Sequence, residues 1–310
     1  MYPAVLERDV LDVLVPRLPD GLVHETETEV AGAVASQDAF FAHLEAMKTK
    51  LASFLKPYGS PPSPLESGKS GVDATAIPRS AAFGPAGAYR LDAEFFRSEY
   101  SDFSELVAKL GPSFPLGRYY SLRTGQLRPG NESVPTVKQS ALTNAGVNWS
   151  AIELRSGGCT GTQVMNGDIL LASTAHEIAY VGRRVDYVTE VPDELKNCNQ
   201  VVSEIIVLRP KADTRPSLGA YVAAFLRSAS GRNQVQRCIR GLRGGHTYPQ
   251  DLEREVIVPD PGDAWLAEFA AIAQGADSQR REAKARMQRA VERVELFNDS
   301  LISGVDWAAG

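Results

Sequence analysis

The stretch that most constrains the fold lies near the C-terminus, at residues 264–301. Its apolar side chains alternate at spacings of three and four residues over about five heptads, with one polar interruption at Arg280. This spacing keeps one narrow apolar seam on a helix, while the charged residues between seam positions stay in water. Such a helix cannot bury its seam against itself. The sequence therefore predicts a second helix of similar length.

A second stretch of the chain repeats the pattern. Residues 23–58 follow the same three-four spacing at a constant offset, and Gln37 interrupts the seam at the position that matches Arg280. The similarity extends upstream, because the sequence VLVP at 13–16 matches VIVP at 256–259. The shared spacing and flanks indicate an internal repeat, in which a Tyr-Pro turn and a short strand precede each long helix.

The two predicted helices are expected to pack against each other along their length. About 36 residues at 1.5 Å per residue give a coiled coil on the order of 54 Å long. The spacing does not decide whether the helices run parallel or antiparallel. Residues of the first seam are expected to bury against those of the second, and the helix-pairing residues are Phe40, Leu44, Met47, Leu51, Phe54, Met287, Val294 and Phe297.

Composition along the chain predicts six segments. They are a strand and turn left from a preceding domain (1–21), a first long helix (22–57), a linker rich in Pro, Gly and Ser (58–88), a globular domain (89–262), a second long helix (263–301) and a tail (302–310). Within the globular domain, β-rich runs at 146–154, 167–172, 179–181 and 201–208 precede helical patterns at 218–228 and 233–239. The sequence thus predicts an α+β fold: a mixed globular domain with a long two-helix coiled coil.

One local charge pattern suggests a binding surface. The net charge of −5 excludes a protein that is basic throughout, yet residues 214–250 contain no acidic residue. Arginine is a planar donor that suits phosphate and guanine. The candidate DNA-binding residues are Arg232, Arg237, Arg240, Arg243, His246, Arg183 and Arg184. Arg240 and Arg243 are the candidates for base contacts, because glycines flank them. The alternative is a solvated face that balances the acidic helices.

Motifs for catalysis, metals and cofactors are missing from the sequence. His176-Glu177 lacks the second histidine of a zinc-protease helix, and no Gly-x-Ser-x-Gly elbow occurs. The three cysteines form no C-x-x-C pair, which argues against a disulfide framework and favours a reducing cytoplasm. The sequence has neither a leader pattern nor a stretch of membrane-spanning length. We expect a cytoplasmic, non-catalytic protein with no cofactor.

Several short stretches, taken in order, resemble the specificity subunits of type I restriction–modification systems. They are RLDAEFF at 90–96, GDILLA at 167–172, LRSASG at 226–231, Tyr248-Pro249 and VIVP at 256–259. Together with the helix repeat, they cover nearly the whole chain. The stretch 172–176 departs from the family, because it lacks the Arg-x-Gly often found there.

The resemblance implies a target recognition domain that binds double-stranded DNA, and two helices that pair antiparallel. It also implies methyltransferase subunits docked on the helices, and restriction or translocase subunits joined through the complex. Members of the family carry two recognition domains, and here the first is represented only by Tyr2 to Pro16. The competing hypothesis is a scaffold unrelated to DNA, whose coiled coil carries a head that binds a protein or a ligand.

Overall fold

The structure is a computed structural model that describes residues 18–59, 98–159, 161–240 and 245–303. The predicted remnant before residue 18, the linker from residue 60, the motif at 90–96, Arg243 and the tail after residue 303 lie outside the described residues. In the described part of the chain, most strands lie in one run from residue 113 to residue 210, and the α-helices lie before and after this run. The predicted α+β fold class is confirmed.

The helices are α1 (Asp20–Leu55), α2 (Ser98–Leu110), α3 (Leu218–Arg227), α4 (Ala229–Arg237), α5 (Pro249–Glu255) and α6 (Asp263–Ser303). The strands are β1 (Ser113–Pro115), β2 (Tyr120–Thr124), β3 (Glu132–Val137), β4 (Glu153–Gly157), β5 (Ile169–Ala172), β6 (Thr174–Ala175), β7 (Val185–Tyr187), β8 (Gln200–Val201), β9 (Ile205–Pro210), β10 (Gly245–His246) and β11 (Ile257–Pro259). The chain divides into two compact units, Met1–His43 with Gly275–Gly310, and Leu44–Gln274.

In the first unit, α1 and α6 run antiparallel. The Arg293 guanidinium lies 2.9 Å from the Glu25 carboxylate, and the Arg289 guanidinium lies 3.1 Å from that of Glu29. Lower residue numbers on α1 therefore meet higher numbers on α6. Among the predicted helix-pairing residues of this unit, Phe40 and Phe297 are buried and Val294 is partly buried.

The predicted burial of Met287 is wrong, since its side chain is 44% exposed. The neighbouring Arg286 takes the inward position, where its guanidinium lies over Gly32 and 3.6 Å from the Glu29 carboxylate. Glu29 also binds Arg289, so charged pairs occupy this part of the helix pair. Met287 is left on the outer side of α6.

In the second unit, the remaining parts of α1 and α6 are also antiparallel. Lys50 Nζ lies 2.6 Å from the Glu268 carboxylate, and the rings of Phe54 and Trp265 are 5.1 Å apart. Met47 and Leu51 are buried in a hydrophobic core, which we call the main core and which also contains Leu266 and Phe269. Leu44 and Phe54 pack against this core.

The partners predicted for these side chains are wrong. Met47 and Leu51 share their core with Leu266 and Phe269, not with Met287, Val294 or Phe297. The reason is the orientation of the helices. In an antiparallel pair, the C-terminal part of α1 lies beside the N-terminal part of α6.

A four-stranded antiparallel sheet, in the order β2-β9-β5-β7, forms the centre of the second unit. Successive side chains of a strand point to opposite faces. Ile169 and Leu171 therefore enter the main core with α3, whereas Leu170 and Ala172 enter a second core. A three-stranded sheet, in the order β4-β3-β8, contributes Val137 and Val201 to that second core.

Three of the predicted β-rich runs differ from the structure. In the run at 146–154, Trp149–Ala151 forms a 3₁₀ turn and β4 begins only at Glu153. The run at 179–181 is wrong, because Ile178–Tyr180 forms a 3₁₀ turn before the chain reverses at Gly182. The run at 201–208 is interrupted and becomes β8 and β9, which belong to different sheets. Alternating apolar residues show neither the turn nor the change of sheet.

A disulfide links Cys159 and Cys198, whose Cα atoms are 5.1 Å apart. The sequence analysis argued against a disulfide, and that prediction is wrong. The two cysteines are 39 residues apart in the chain, and only the fold brings their loops together. Cys238 is not part of this disulfide and is buried.

Candidate functional site

A cleft of about 860 Å³ opens beside the ends of β5 and β9, and we call it the basic cleft. It lies within the second unit. Its lining residues are Lys138, Gln139, Ser140, Arg155, Ala172, Thr174, Ala175, His176, Glu177, Tyr180, Arg183, Arg184, Val202, Glu204 and His246. They come from β4, β5, β6, β10 and the segments that follow β3, β6 and β8. The fold, and not local sequence, assembles this surface.

Cationic groups dominate the basic cleft. Lys138 donates a hydrogen bond to Glu153 outside the lining, and this bond holds the pKa of the Glu153 carboxyl below its usual range. In the part of the chain that the structure describes, no carboxylate lies within ion-pair distance of Arg155, Arg183 or Arg184. These three guanidinium groups are available to an anionic ligand.

The backbone at Arg183 is fixed by the turn that precedes it. Gly182 has a φ of +71°, and a Cβ at this position would lie 3.1 Å from Val235 Cγ1. Glycine is thus favoured both by the left-handed conformation and by the close approach of α4. The Arg183 guanidinium lies over the Tyr180 ring, 5.1 Å from its centroid. This cation–π contact orients the guanidinium beside the cleft.

A buried carboxylate supports the same turn. Asp186 is fully buried and accepts hydrogen bonds from the backbone N–H groups of Thr143 (2.7 Å), Asn144 (3.2 Å) and Gly146 (2.8 Å). Burial raises the pKa of the Asp186 carboxyl, and these hydrogen bonds oppose that change. Asn144 in turn donates to the Arg183 carbonyl at 3.0 Å. Asp186 therefore positions Arg183 through the loop at Asn144.

Arg184 is held from the opposite wall. Its Nη1 donates to the backbone carbonyl of Gln139 at 2.7 Å, and its own carbonyl accepts from Ala172 N at 2.9 Å. One guanidinium forms up to five hydrogen bonds, so this contact leaves donors for a ligand. Arg184 is exposed, and its remaining donors can face the cleft.

The floor of the cleft is a hydrogen-bonded network. Gln139 Nε2 donates to the carbonyls of Thr174 (2.6 Å) and Glu204 (3.1 Å). The Thr174 hydroxyl lies 3.1 Å from His246 Nδ1, in register with the β6–β10 pairing. The network holds polar side chains at fixed positions between the arginines. Such groups can contact phosphate oxygens or base edges.

Three of the predicted DNA-binding residues, Arg183, Arg184 and His246, meet in the basic cleft. Arg232 and Arg237 lie on α4, outside its lining, and both are partly buried.

The predicted role of Arg240 as a flexible base-contacting side chain is contradicted. Its Nε and Nη2 each lie 2.7 Å from a carboxylate oxygen of Asp251, which is 2% exposed. Its guanidinium also lies 5.5 Å from the centroid of the Tyr248 ring. A bidentate ion pair with a buried carboxylate fixes this arginine in the fold.

Sequence reasoning missed Lys138, Gln139, Arg155 and Tyr180. They come from three separate segments of the chain, since only Lys138 and Gln139 are neighbours in sequence. The strand pairing of β3 with β4, which places Lys138 near Glu153 and brings Arg155 to the cleft, is long-range information. The only local signal was the polar end of a β-rich run.

Comparison with known proteins gave matches in structure only. No protein-family model matches the sequence, and no curated protein matches it. Among solved structures, the HsdS subunit from Thermoanaerobacter tengcongensis matches with 16% identity and a TM-score of 0.37, over 95% of this chain and 60% of that one. The chain resembles specificity subunits of type I restriction–modification systems.

Two further solved structures match similarly. The S subunit of the type I restriction–modification system from M. genitalium shares 9% identity with a TM-score of 0.44, over 89% of this chain and 58% of that one. The third is a structure that concerns complex assembly and conformational transition of the type I restriction–modification system. It shares 14% identity with a TM-score of 0.39, over 95% of this chain and 62% of that one. This chain thus spans about three fifths of the length of these proteins.

Among the described residues, none of the helices is both long and apolar enough to cross a membrane. Within the same residues, no group of three histidine, cysteine, aspartate or glutamate side chains could hold a metal ion.

Proposed function

We propose that the chain is a sequence-specific DNA-binding subunit of a type I restriction–modification complex in the cytoplasm. It directs methyltransferase and restriction or translocase subunits to a double-stranded target and has no catalysis of its own. The observation that carries this proposal is the basic cleft, where Arg155, Arg183 and Arg184 face solvent with no carboxylate in ion-pair distance among the described residues.

The composition of the cleft favours nucleic acid over a small neutral ligand. Phosphate contacts supply much of the affinity for DNA, and arginine forms bidentate hydrogen bonds with phosphate and with guanine. Gln139, Thr174 and His246 add neutral polar groups on a hydrogen-bonded floor. Fixed donors between cationic groups can distinguish base edges while the arginines set the position of the duplex.

The long helices supply surface for the proposed partner subunits. In the first unit, apolar side chains remain in solvent although the helices pair through Phe40 and Phe297. Exposed apolar residues that lie close along a helix are typical of a protein–protein interface. On α1 and α6 they include Val34, Phe41, Met287, Val291, Leu296 and Leu301, which are 43% to 66% exposed.

The proposal is tested by DNA binding of the full chain together with a methyltransferase partner. Fluorescence anisotropy on a library of duplexes, at several salt concentrations, gives both affinity and sequence preference. The test variant is Arg183→Ala/Arg184→Ala. The control is Arg118→Ala, which removes an exposed arginine outside the cleft lining. We expect the test variant to weaken binding and the control to leave it near wild type.

The outcomes separate the competing hypotheses. Loss of preference at one base position in a single variant indicates a base contact, which is worth roughly 1–3 kcal/mol. An equal loss on all duplexes with a flatter salt dependence indicates phosphate contact. If the wild-type complex binds no duplex, the scaffold hypothesis gains and the proposed function is overturned. Methyl transfer from S-adenosylmethionine by the purified chain alone would contradict the non-catalytic role.

A further inference from the structure

A second cleft of about 310 Å³ lies at the end of β2, and we call it the arginine cleft. Its lining includes Arg123, Thr124, Arg128, Gln163, Met165 and Arg209. It lies within the second unit and shares no lining residue with the basic cleft. None of the residues singled out from the sequence belongs to it.

The three arginines of this cleft are not equivalent. Arg209 forms a bidentate pair with Asp168, with Nε 3.0 Å from Oδ1 and Nη2 2.8 Å from Oδ2. Asp168 is fully buried, and Arg209 Nη2 also donates to the Gln163 carbonyl at 2.7 Å. The charge of Arg209 is therefore balanced within the fold. It forms the inner wall of the cleft.

Arg123 and Arg128 are exposed, and in the part of the chain that the structure describes no carboxylate lies within ion-pair distance of either. The cleft lining contains no acidic side chain. Two like charges placed in one concave polar surface repel each other and attract an anion. This arrangement favours a ligand with phosphate groups.

The wall opposite the arginines is rigidly connected. Thr162 N donates to the Gln126 carbonyl at 3.0 Å, and the Thr162 hydroxyl donates to the Thr124 carbonyl at 3.2 Å. Gly161 approaches so closely that a Cβ would lie 2.4 Å from the Gln126 carbonyl oxygen. Gln163 Nε2 donates to the carbonyl of Cys159, whose disulfide is described above. The cleft is thus shaped before a ligand arrives.

The two clefts are lined by residues that lie close together in the chain. Glu204, in the turn just before β9, lines the basic cleft, whereas Val207 and Arg209 on β9 line the arginine cleft. A duplex seated in the basic cleft can therefore present backbone phosphates to both.

We propose that the arginine cleft binds backbone phosphates of the same duplex through Arg123 and Arg128, and adds affinity without sequence preference. This inference rests on the proposed function and extends it to a second surface. Neutral substitutions of Arg123 and Arg128 should change the salt dependence of DNA binding. Substitutions in the basic cleft should also change the preference for a DNA sequence.

The test uses the full chain with its methyltransferase partner and a duplex of its preferred sequence beside one of random sequence. We expect Arg123→Ala/Arg128→Ala to weaken binding to both duplexes by a similar factor, roughly 10- to 100-fold at 0.1 M salt, and to flatten the log–log salt slope by about two. Arg123→Lys/Arg128→Lys keeps the charges and should retain most of the slope. The control Lys109→Ala/Arg118→Ala removes two exposed charges outside both clefts.

Each result decides the matter. A wild-type slope and affinity in Arg123→Ala/Arg128→Ala, with a defect in Arg183→Ala/Arg184→Ala, overturns this inference and leaves the proposed function standing. A wild-type complex that binds no duplex overturns both. An equal loss in the Lys109→Ala/Arg118→Ala control shows a general charge effect and also overturns the inference. A thermal melt of each variant verifies folding. Inorganic pyrophosphate added to the same melt raises the melting temperature if the cleft is a site for free phosphate, and leaves it unchanged if the site needs DNA.

Discussion

Gly275 of α6 lies directly against the imidazole of His43 of α1, where a Cβ would stand 2.5 Å from Nε2. Gly32 of α1 bears the same relation to Arg286 of α6, with a Cβ 2.5 Å from Nη1. The offset of the internal repeat makes Gly32 equivalent to Gly275, and His43 equivalent to Arg286. The helix pair therefore contains the same contact twice: a long polar side chain of one helix fits over a glycine of the other.

This relationship predicts that Gly275→Leu destabilises the protein. A larger side chain gains about 1 kcal/mol of helix propensity over glycine. Displacing the His43 ring should cost more, roughly 1–3 kcal/mol as in other overpacked contacts. Urea unfolding measures the difference. The matched control is Gly21→Leu in the first turn of α1, where a Cβ would meet no atom within 4 Å. Equal changes in the two variants would contradict the prediction, and adding His43→Ala to Gly275→Leu should restore stability.

Burial along the seams separates two residues that the sequence repeat treats alike. Leu51 is 7% exposed in the main core, whereas Met287 is 44% exposed. We expect Leu51→Ala to lower the free energy of unfolding by roughly 2–5 kcal/mol, because it leaves a cavity. Met287→Ala should change it by about 0.5 kcal/mol or less, as exposed substitutions do. Denaturant unfolding of both variants measures this, and a large effect of Met287→Ala would show that α6 is rotated from its described position.

Glu29 makes the helix pair of the first unit sensitive to acid. Its pKa lies below the ordinary value of 4.5, chiefly because of the hydrogen bond from Arg289, with Arg286 and Arg293 adding to the effect. A carboxyl with a lower pKa in the folded state stabilises it above the unfolded pKa, and this contribution is lost as the pH falls through the folded pKa. We expect Glu29→Gln to be less stable than wild type at pH 6, and the difference to shrink as the pH falls below 4.5. A difference that does not depend on pH would show a packing effect instead.

The helices could be predicted from the sequence because their seam is a local, periodic signal, and the repeat provided a second copy of it. The residues that meet across the helix pair could not be predicted, since the spacing decides neither the orientation of the helices nor which seam residues face each other. The absence of acidic residues at 214–250 was misleading about Arg240 for a related reason. The acid-free span ends at Gln250, and the next residue, Asp251, is the partner of Arg240. Arg227, inside the same span, is partly buried and donates to the carbonyl of Asn144. Counting charges within a window cannot show partners outside it.

The disulfide is the other feature that the sequence did not predict, and it has a measurable consequence. It closes a loop of 39 residues between Cys159 and Cys198, which by loop-closure entropy is worth roughly 2–4 kcal/mol. We expect a reducing agent to lower the melting temperature of the wild-type chain. The variant Cys159→Ser/Cys198→Ser should melt at that lower temperature with or without the agent. A response of this variant to reductant would show that the effect does not come from the Cys159–Cys198 disulfide.

Arg240 and Arg184 look alike in sequence but have different roles in the fold. Arg240 compensates Asp251, which is 2% exposed, whereas Arg184 lines the basic cleft and is exposed. Removing the partner of a buried charge costs about 3–5 kcal/mol, and the partial exposure of Arg240 reduces this to roughly 2–3 kcal/mol. Arg240→Ala should therefore lower stability with little change in DNA preference at a temperature where the variant is folded.

Arg184→Ala should show the opposite pattern, with near wild-type stability and weaker DNA binding. Denaturant unfolding and anisotropy on the same preparations measure both properties. The variant Arg240→Ala/Asp251→Asn tests the cause. It removes the charge of the carboxylate that has lost Arg240 and keeps Arg254 at 3.9 Å, so it should recover part of the stability lost in Arg240→Ala. If Arg240→Ala instead changes base preference at wild-type stability, the Asp251 pair opens when DNA binds and Arg240 belongs to the interface after all.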